Sequence, residues 1–152
     1  MFMTSKHLDY HNAAEALLRN MVSCGTGADH FNHFRDHAKE LVENERGWRD
    51  WKFEEDGGPG FSIGHPIGKI RYIWESVFDN GSGRGALVAL RACRDDKLAT
   101  IWREACRMIF ELSGDVKEGA ISDGSPEMSM HDAEALGAIL MRMTADALRT
   151  KI

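Results

Sequence analysis

The stretch RGALVALRACRDDKLATIWREACRMIFEL, residues 84–112, decides how the fold is read. Leu87 and Leu90 stand three residues apart. After Arg94-Asp95-Asp96, the residues Leu98, Ile101, Trp102, Ala105 and Ile109 recur at spacings of mostly three and four, which 3.6 residues per turn would gather on one face of a helix. Asp95 then reads as an N-cap, since its carboxylate can accept a backbone N–H of a first turn. On this reading 84–112 is two helices with a break near Cys93 to Asp95.

Working outward, Pro66 suits the first position of a helix over 66–80, with Ile67, Ile70, Trp74 and Val77 as its stripe and Asn80-Gly81 as its stop. Phe31, Phe34, Ala38, Leu41, Val42 and Trp48 predict a helix over roughly 28–46, with Asp29 in its first turn. Tyr10, Ala14, Leu17, Leu18 and Met21 predict one over 5–23, capped by Ser5 and stopped at Gly25. Ser129-Met130-His131-Asp132 opens a last helix, whose apolar face is Ala133, Leu136, Leu140, Met143 and Ala147. Ala135, Gly137 and Ala138 would let a neighbouring helix approach closely. Between these elements, 52–64 with Gly57-Gly58-Pro59-Gly60 and 113–128 read as Gly-rich loops. The fold class expected is all-α: one domain, a bundle of about five or six helices with two Gly-rich loops.

The totals fit a single globular domain, with 152 residues, 43% apolar and 28% charged. The start MFMTSKHLDYHN lacks a signal-peptide pattern and no run of apolar residues is long enough to span a bilayer, so a cytoplasmic protein without membrane contact is expected. Cys24, Cys93 and Cys106 are odd in number and far apart, which gives no support to a disulfide framework. The net charge of −5 hides a division. Residues 1–63 carry seven basic and eleven acidic side chains, and 108–152 carry four and eight. Residues 64–107 carry eight basic side chains, Lys69, Arg71, Arg84, Arg91, Arg94, Lys97, Arg103 and Arg107, against five acidic ones. Only the middle suits a polyanion.

Five patterns bear on chemistry. His30, His33 and His37 fall on one helical stripe, and His7 with His11 stand i, i+4 on the preceding helix, so imidazoles from two helices could hold a transition metal. The competing reading is a half-exposed edge of a buried face. Cys24, ahead of Gly25-Thr26-Gly27, could be a nucleophile with His30 or His37 as base, but a thiol at a helix C-terminus lacks the dipole that lowers its pKa and reads as inert. Gly57-Gly58-Pro59-Gly60 is followed by Phe61-Ser62-Ile63, not by the Lys and Ser/Thr of a P-loop, and reads as a turn. Met128, Met130, Met141 and Met143 read as core fillers. Arg103 and Arg107, i, i+4 on the expected helix, point away from the apolar stripe and with Arg91, Arg94 and Lys97 form a ribbon able to neutralise backbone phosphates. The alternative is a solvated helix face.

The segments Ile67-Gly68-Lys69-Ile70-Arg71-Tyr72-Ile73-Trp74-Glu75, Ala86 to Ala99, and Trp102-Arg103-Glu104-Ala105 resemble the small helical subunit of type I-E CRISPR surveillance complexes. The resemblance covers under a third of the chain, and where that family places an Arg before an aromatic this chain has Ala86-Leu87. It implies a non-catalytic subunit without cofactor that contacts the backbone of RNA or single-stranded DNA and assembles with other protein subunits. Two other functions are carried beside it: a small acidic inhibitor that binds a partner protein, and a His-rich metal-binding bundle. Homo-oligomerisation is compatible with each.

Overall fold

Alternation, not helical spacing, governs the middle of the chain. The computed structural model describes residues 28–55, 60–77, 84–111, 116–119 and 133–149. The helix expected over 5–23, with Cys24, His7 and His11, lies outside them.

Among the described residues six strands follow one another as an antiparallel meander in which each strand pairs with the next: β1 (Lys52–Glu54), β2 (Phe61–His65), β3 (Gly68–Val77), β4 (Arg84–Arg94), β5 (Thr100–Glu111) and β6 (Val116–Gly119). Helix α1 occupies 28–44, a short 3-10 turn covers Arg46–Trp48, and helix α2 runs Ala133–Arg149. Successive side chains of a strand point to opposite faces. Ile70, Tyr72 and Trp74 of β3 therefore face inward, beside Leu87 and Ala89 of β4 and Met108 and Phe110 of β5.

Both helices cover that inner face. From α1 come Phe31, Phe34, Ala38 and Val42, with Phe34 edge-on to Tyr72 and Phe31 stacked on Phe61. From α2 come Leu136, Ile139, Leu140, Met143 and Ala147. The helices meet at Gly137, where a Cβ would stand 3.5 Å from Leu41 Cδ1. Polar contacts tie α2 to three strands. Tyr72 of β3 hydrogen-bonds Thr144 Oγ1 at 2.6 Å, the Cys106 thiol of β5 donates to the Met143 carbonyl, and Arg91 of β4 donates to the carbonyls of Ala147 and Leu148. The last contact places a guanidinium where the helix C-terminus carries its partial negative charge.

The expected all-α bundle is overturned. The helix read over 66–80 is the turn into β3 and β3 itself, and the two helices read over 84–112 are β4 and β5. The loop read over 52–64 contains β1 and most of β2, and the connector over 113–128 contains β6. The helix over 28–46 ends at 44, and the C-terminal helix is present as α2. Helical spacing was misleading at a bulge. Ala89 pairs with Cys106 and Leu90 with Glu104, so Ala105 is an extra residue. Such an insertion shifts the phase of the strand, and Ala105 and Cys106 both pack on the core although they are neighbours. Asp95 caps a hairpin: its Oδ1 accepts from the N–H groups of Lys97 and Ala99, and Leu98 takes a positive φ of 62°. Among the described residues no helix is long and apolar enough to cross a membrane.

Candidate functional site

A strand arrangement separates the basic residues that a helix would have aligned. Arg71 and Arg107 lie on the outer face of the sheet, opposite the helices, whereas Arg103 pairs in register with Arg91 on the helix side. Arg91 caps α2. Arg107 hydrogen-bonds Glu104 on its own strand and Glu75 on β3, and Lys69 holds Glu54 at 2.6 Å. Arg94 and Lys97 are exposed at the β4–β5 turn, and Arg84 opens β4. The contiguous ribbon expected across Arg91, Arg94, Lys97, Arg103 and Arg107 is therefore not formed.

The histidine stripe is divided in the same way by burial. His30 is buried beside Phe31, His37 is half-buried and His33 is exposed. Among the described residues no three His, Cys, Asp or Glu side chains gather to hold a metal ion. Burial pushes the Cys106 thiol up to about 12, with Asp146 and Glu104 adding to the effect, so this sulfur is a neutral hydrogen-bond donor at ordinary pH.

Among the described residues two concavities share Trp51, a residue the sequence reading did not single out, and a third lies beside them. The first is a pit of about 190 Å³ lined by Gly47, Trp48, Trp51, Met141, Thr144, Ala145 and Leu148. Its floor comes from α2, on which Met141, Thr144, Ala145 and Leu148 stand at i, i+3, i+4 and i+7 and so share one face. This is a second stripe, turned aside from the one that enters the core. Its aromatic wall comes from the 3-10 turn, which sets Trp48 edge-on to Trp51 with ring centres 5.6 Å apart. The Trp51 N–H donates to the Trp48 carbonyl, fixing that arrangement. Met141 is 58% exposed and Ile67, next to Gly68 against Leu148, is 67% exposed, so the apolar surface continues past the pit.

The second concavity is a groove of about 560 Å³ between the end of α1 and β1, lined by Val42, Glu43, Glu45, Arg46, Arg49, Trp51 and all of β1 among others. The third, about 340 Å³, lies under the β2–β3 turn and is lined by Asp50, Lys52, Glu54, His65 and Lys69 among others. His65 packs on the Trp51 ring with centres 4.9 Å apart, and its Nδ1 accepts the Ile67 N–H, which leaves Nε2 to carry the proton of the neutral ring.

Size and lining decide what these can hold. Metabolite sites are mostly apolar and roughly 300–1,000 Å³. The pit is apolar but too small, and the two larger hollows are walled by charge. An apolar aromatic pocket beside a charged surface is instead the anatomy of a protein interface, where one buried anchor side chain carries much of the energy and a polar rim surrounds it. The signal available in the sequence was the pair Trp48 and Trp51 beside the alternating Lys52-Phe53-Glu54, together with Met141 standing out of phase with the core stripe of its helix. Comparison with protein-family models, with curated proteins and with solved structures found no match to this chain.

Proposed function

We propose that this chain is a non-catalytic protein-binding module that takes an apolar anchor side chain of a partner into the Trp48–Trp51–Met141–Leu148 pit. The observation that carries the reading is the sharing of Trp51 between an apolar pit and a charge-lined groove. The reading belongs with the protein-binding alternative raised from the sequence. The nucleic-acid reading lacks this kind of support, because Arg91, Arg107 and Lys69 are engaged within the fold and Arg103 lies on the helix side of the sheet, across it from Arg71 and Arg107.

The test is selection of a random dodecapeptide library displayed on phage against the immobilised full chain, with Met141→Glu protein in solution as competitor. Met141 is exposed, so its replacement leaves the core intact while placing a carboxylate at the mouth of the pit. Enrichment of peptides with a shared Leu, Met or aromatic residue, bound by the parent chain and about tenfold or more weaker on Met141→Glu, is expected. A selection that enriches nothing able to tell the two proteins apart overturns the reading.

A further inference from the structure

The β2–β3 hairpin is closed by residues that its geometry does not favour. His65 pairs with Gly68, so the loop is Pro66 and Ile67 alone. Loops of this length prefer turns with a positive φ, supplied by Gly, Asn or Asp, because such turns follow the twist of the strands. The ring of Pro66 holds its φ negative, and among the described non-glycine residues Leu98 alone has a positive φ. The turn therefore lacks the backbone conformation that favoured loops use. Its second position also carries an exposed, β-branched apolar side chain.

A side chain supplies what the loop lacks. His65 Nδ1 accepts the Ile67 N–H at 3.2 Å, two residues on, as Asn and Asp side chains do in turns of their own. The same imidazole packs on Trp51, with ring centres 4.9 Å apart. On the other side of the loop Gly68 lies close to α2, where a Cβ would stand 3.0 Å from Leu148 Cδ2. Trp51 and Leu148 both line the pit. Ile67 is thus held between two residues that reach the pit lining, and its own side chain is left in the open. A position where the sequence breaks a local rule and fixes the result with other contacts is where function is to be sought.

We infer that Ile67 is a second apolar contact of the docking surface and that His65 is the residue that positions it. This rests on the reading of the pit as an anchor site. The partner is then a segment of another protein with two apolar side chains, one in the pit and one on Ile67. A single anchor in a pit of about 190 Å³ leaves the segment free to turn about that side chain. The second contact fixes its direction and removes Ile67 from water. His65 serves both contacts, its ring lying on the pit wall and its Nδ1 holding the turn.

The experiment titrates the strongest dodecapeptide from the selection above, and its versions with each apolar residue in turn replaced by alanine, into the parent chain, Ile67→Ser, His65→Phe and His65→Asn. Ile67 is exposed, so Ile67→Ser leaves the core untouched. Affinity about five- to tenfold weaker on Ile67→Ser is expected. One alanine peptide, other than the one that loses the anchor, should bind the parent chain and Ile67→Ser alike. Phenylalanine keeps a ring against Trp51 and removes the acceptor, whereas asparagine removes the ring and keeps an acceptor for the Ile67 N–H. His65→Phe should therefore lose affinity through that same peptide residue, and His65→Asn should retain the coupling to it. Weakening of every peptide alike by both His65 variants would overturn the positioning role. Parent-like affinity of Ile67→Ser for a peptide that still discriminates against Met141→Glu overturns the second contact while the anchor reading stands. Absence of any peptide that discriminates removes both. Light scattering of the free chain gives the remaining outcome: a dimer broken by Ile67→Ser would show the patch to be taken by a second copy and overturn the proposal.

Discussion

Replacing Thr144 by Val tests the contact that holds α2 to the centre of the sheet. Tyr72 is fully buried, and its hydroxyl has two neighbours, Thr144 Oγ1 at 2.6 Å and the Leu140 carbonyl at 3.4 Å. Valine keeps the volume of threonine and removes the oxygen, so the phenol is left with the long Leu140 contact. A buried donor that loses its partner costs about 1–3 kcal/mol, and Thr144→Val should fall towards the upper half of that range. Tyr72→Phe should cost less, roughly 0.5–1.5 kcal/mol. The Thr144 hydroxyl it strands can turn to the carbonyl four residues back, which is Leu140. The double variant leaves neither group unpaired, so its loss should be smaller than the sum of the singles by about 1–2 kcal/mol. Urea unfolding of the four proteins, followed by tryptophan fluorescence, supplies the numbers. Additive single effects, or a Thr144→Val loss below about 0.5 kcal/mol, would refute the view that this hydrogen bond is a desolvated pairing in a dry core.

Alkali should loosen the same region. Burial raises the Tyr72 phenol far above its ordinary 10.0 and the Cys106 thiol from 9.0 to about 12, so the folded chain keeps protons that the unfolded chain gives up. Their contribution to stability is complete below pH 9.0 and falls as pH rises towards 12. Urea midpoints measured between pH 8 and about pH 11 should decline, and Tyr72→Phe should flatten the part of the decline above pH 10.0. Gly85→Ala should be strongly destabilising, about 1–3 kcal/mol, because a Cβ there would fall within the Trp74 ring, which also packs against Phe110. Thermal unfolding with near-ultraviolet circular dichroism would show both the lost stability and a changed tryptophan environment; an unchanged spectrum would refute the packing argument.

The two described helices were legible and the sheet was not, for reasons visible in particular residues. α1 and α2 each send one stripe into the core, so Phe31, Phe34, Ala38 and Leu136, Leu140, Met143 keep a clean helical period. The strands lack a polar face to alternate with. From Ala86 to Ala89 every residue is buried, two on the inner face and two on the outer, and such a run carries no period at all. In β3, Ile73 is apolar on the outer face and masks the alternation of Ile70, Tyr72 and Trp74. Asp95 was read as a cap, and it does cap, but the N–H groups it accepts belong to a hairpin turn. The site was less legible still. The pit gathers Trp48 and Trp51 with Met141 and Leu148 across some ninety positions of chain, and no local period announces such a meeting. The basic residues kept their identities but lost the common face that a helix would have given them.

The chain order of α2 has a consequence for biosynthesis. The six described strands precede it, and each finds its partner in the next, so the meander can pair as it emerges. The inner face cannot be finished that way, since Leu140, Met143 and Thr144 arrive only after β6. A chain made only as far as β6 would therefore leave Tyr72 and Cys106 without their partners on α2, on one side of an otherwise paired sheet. That intermediate is suited to capture by chaperones and prone to self-association, and release from either should coincide with the emergence of the last helix from the ribosome.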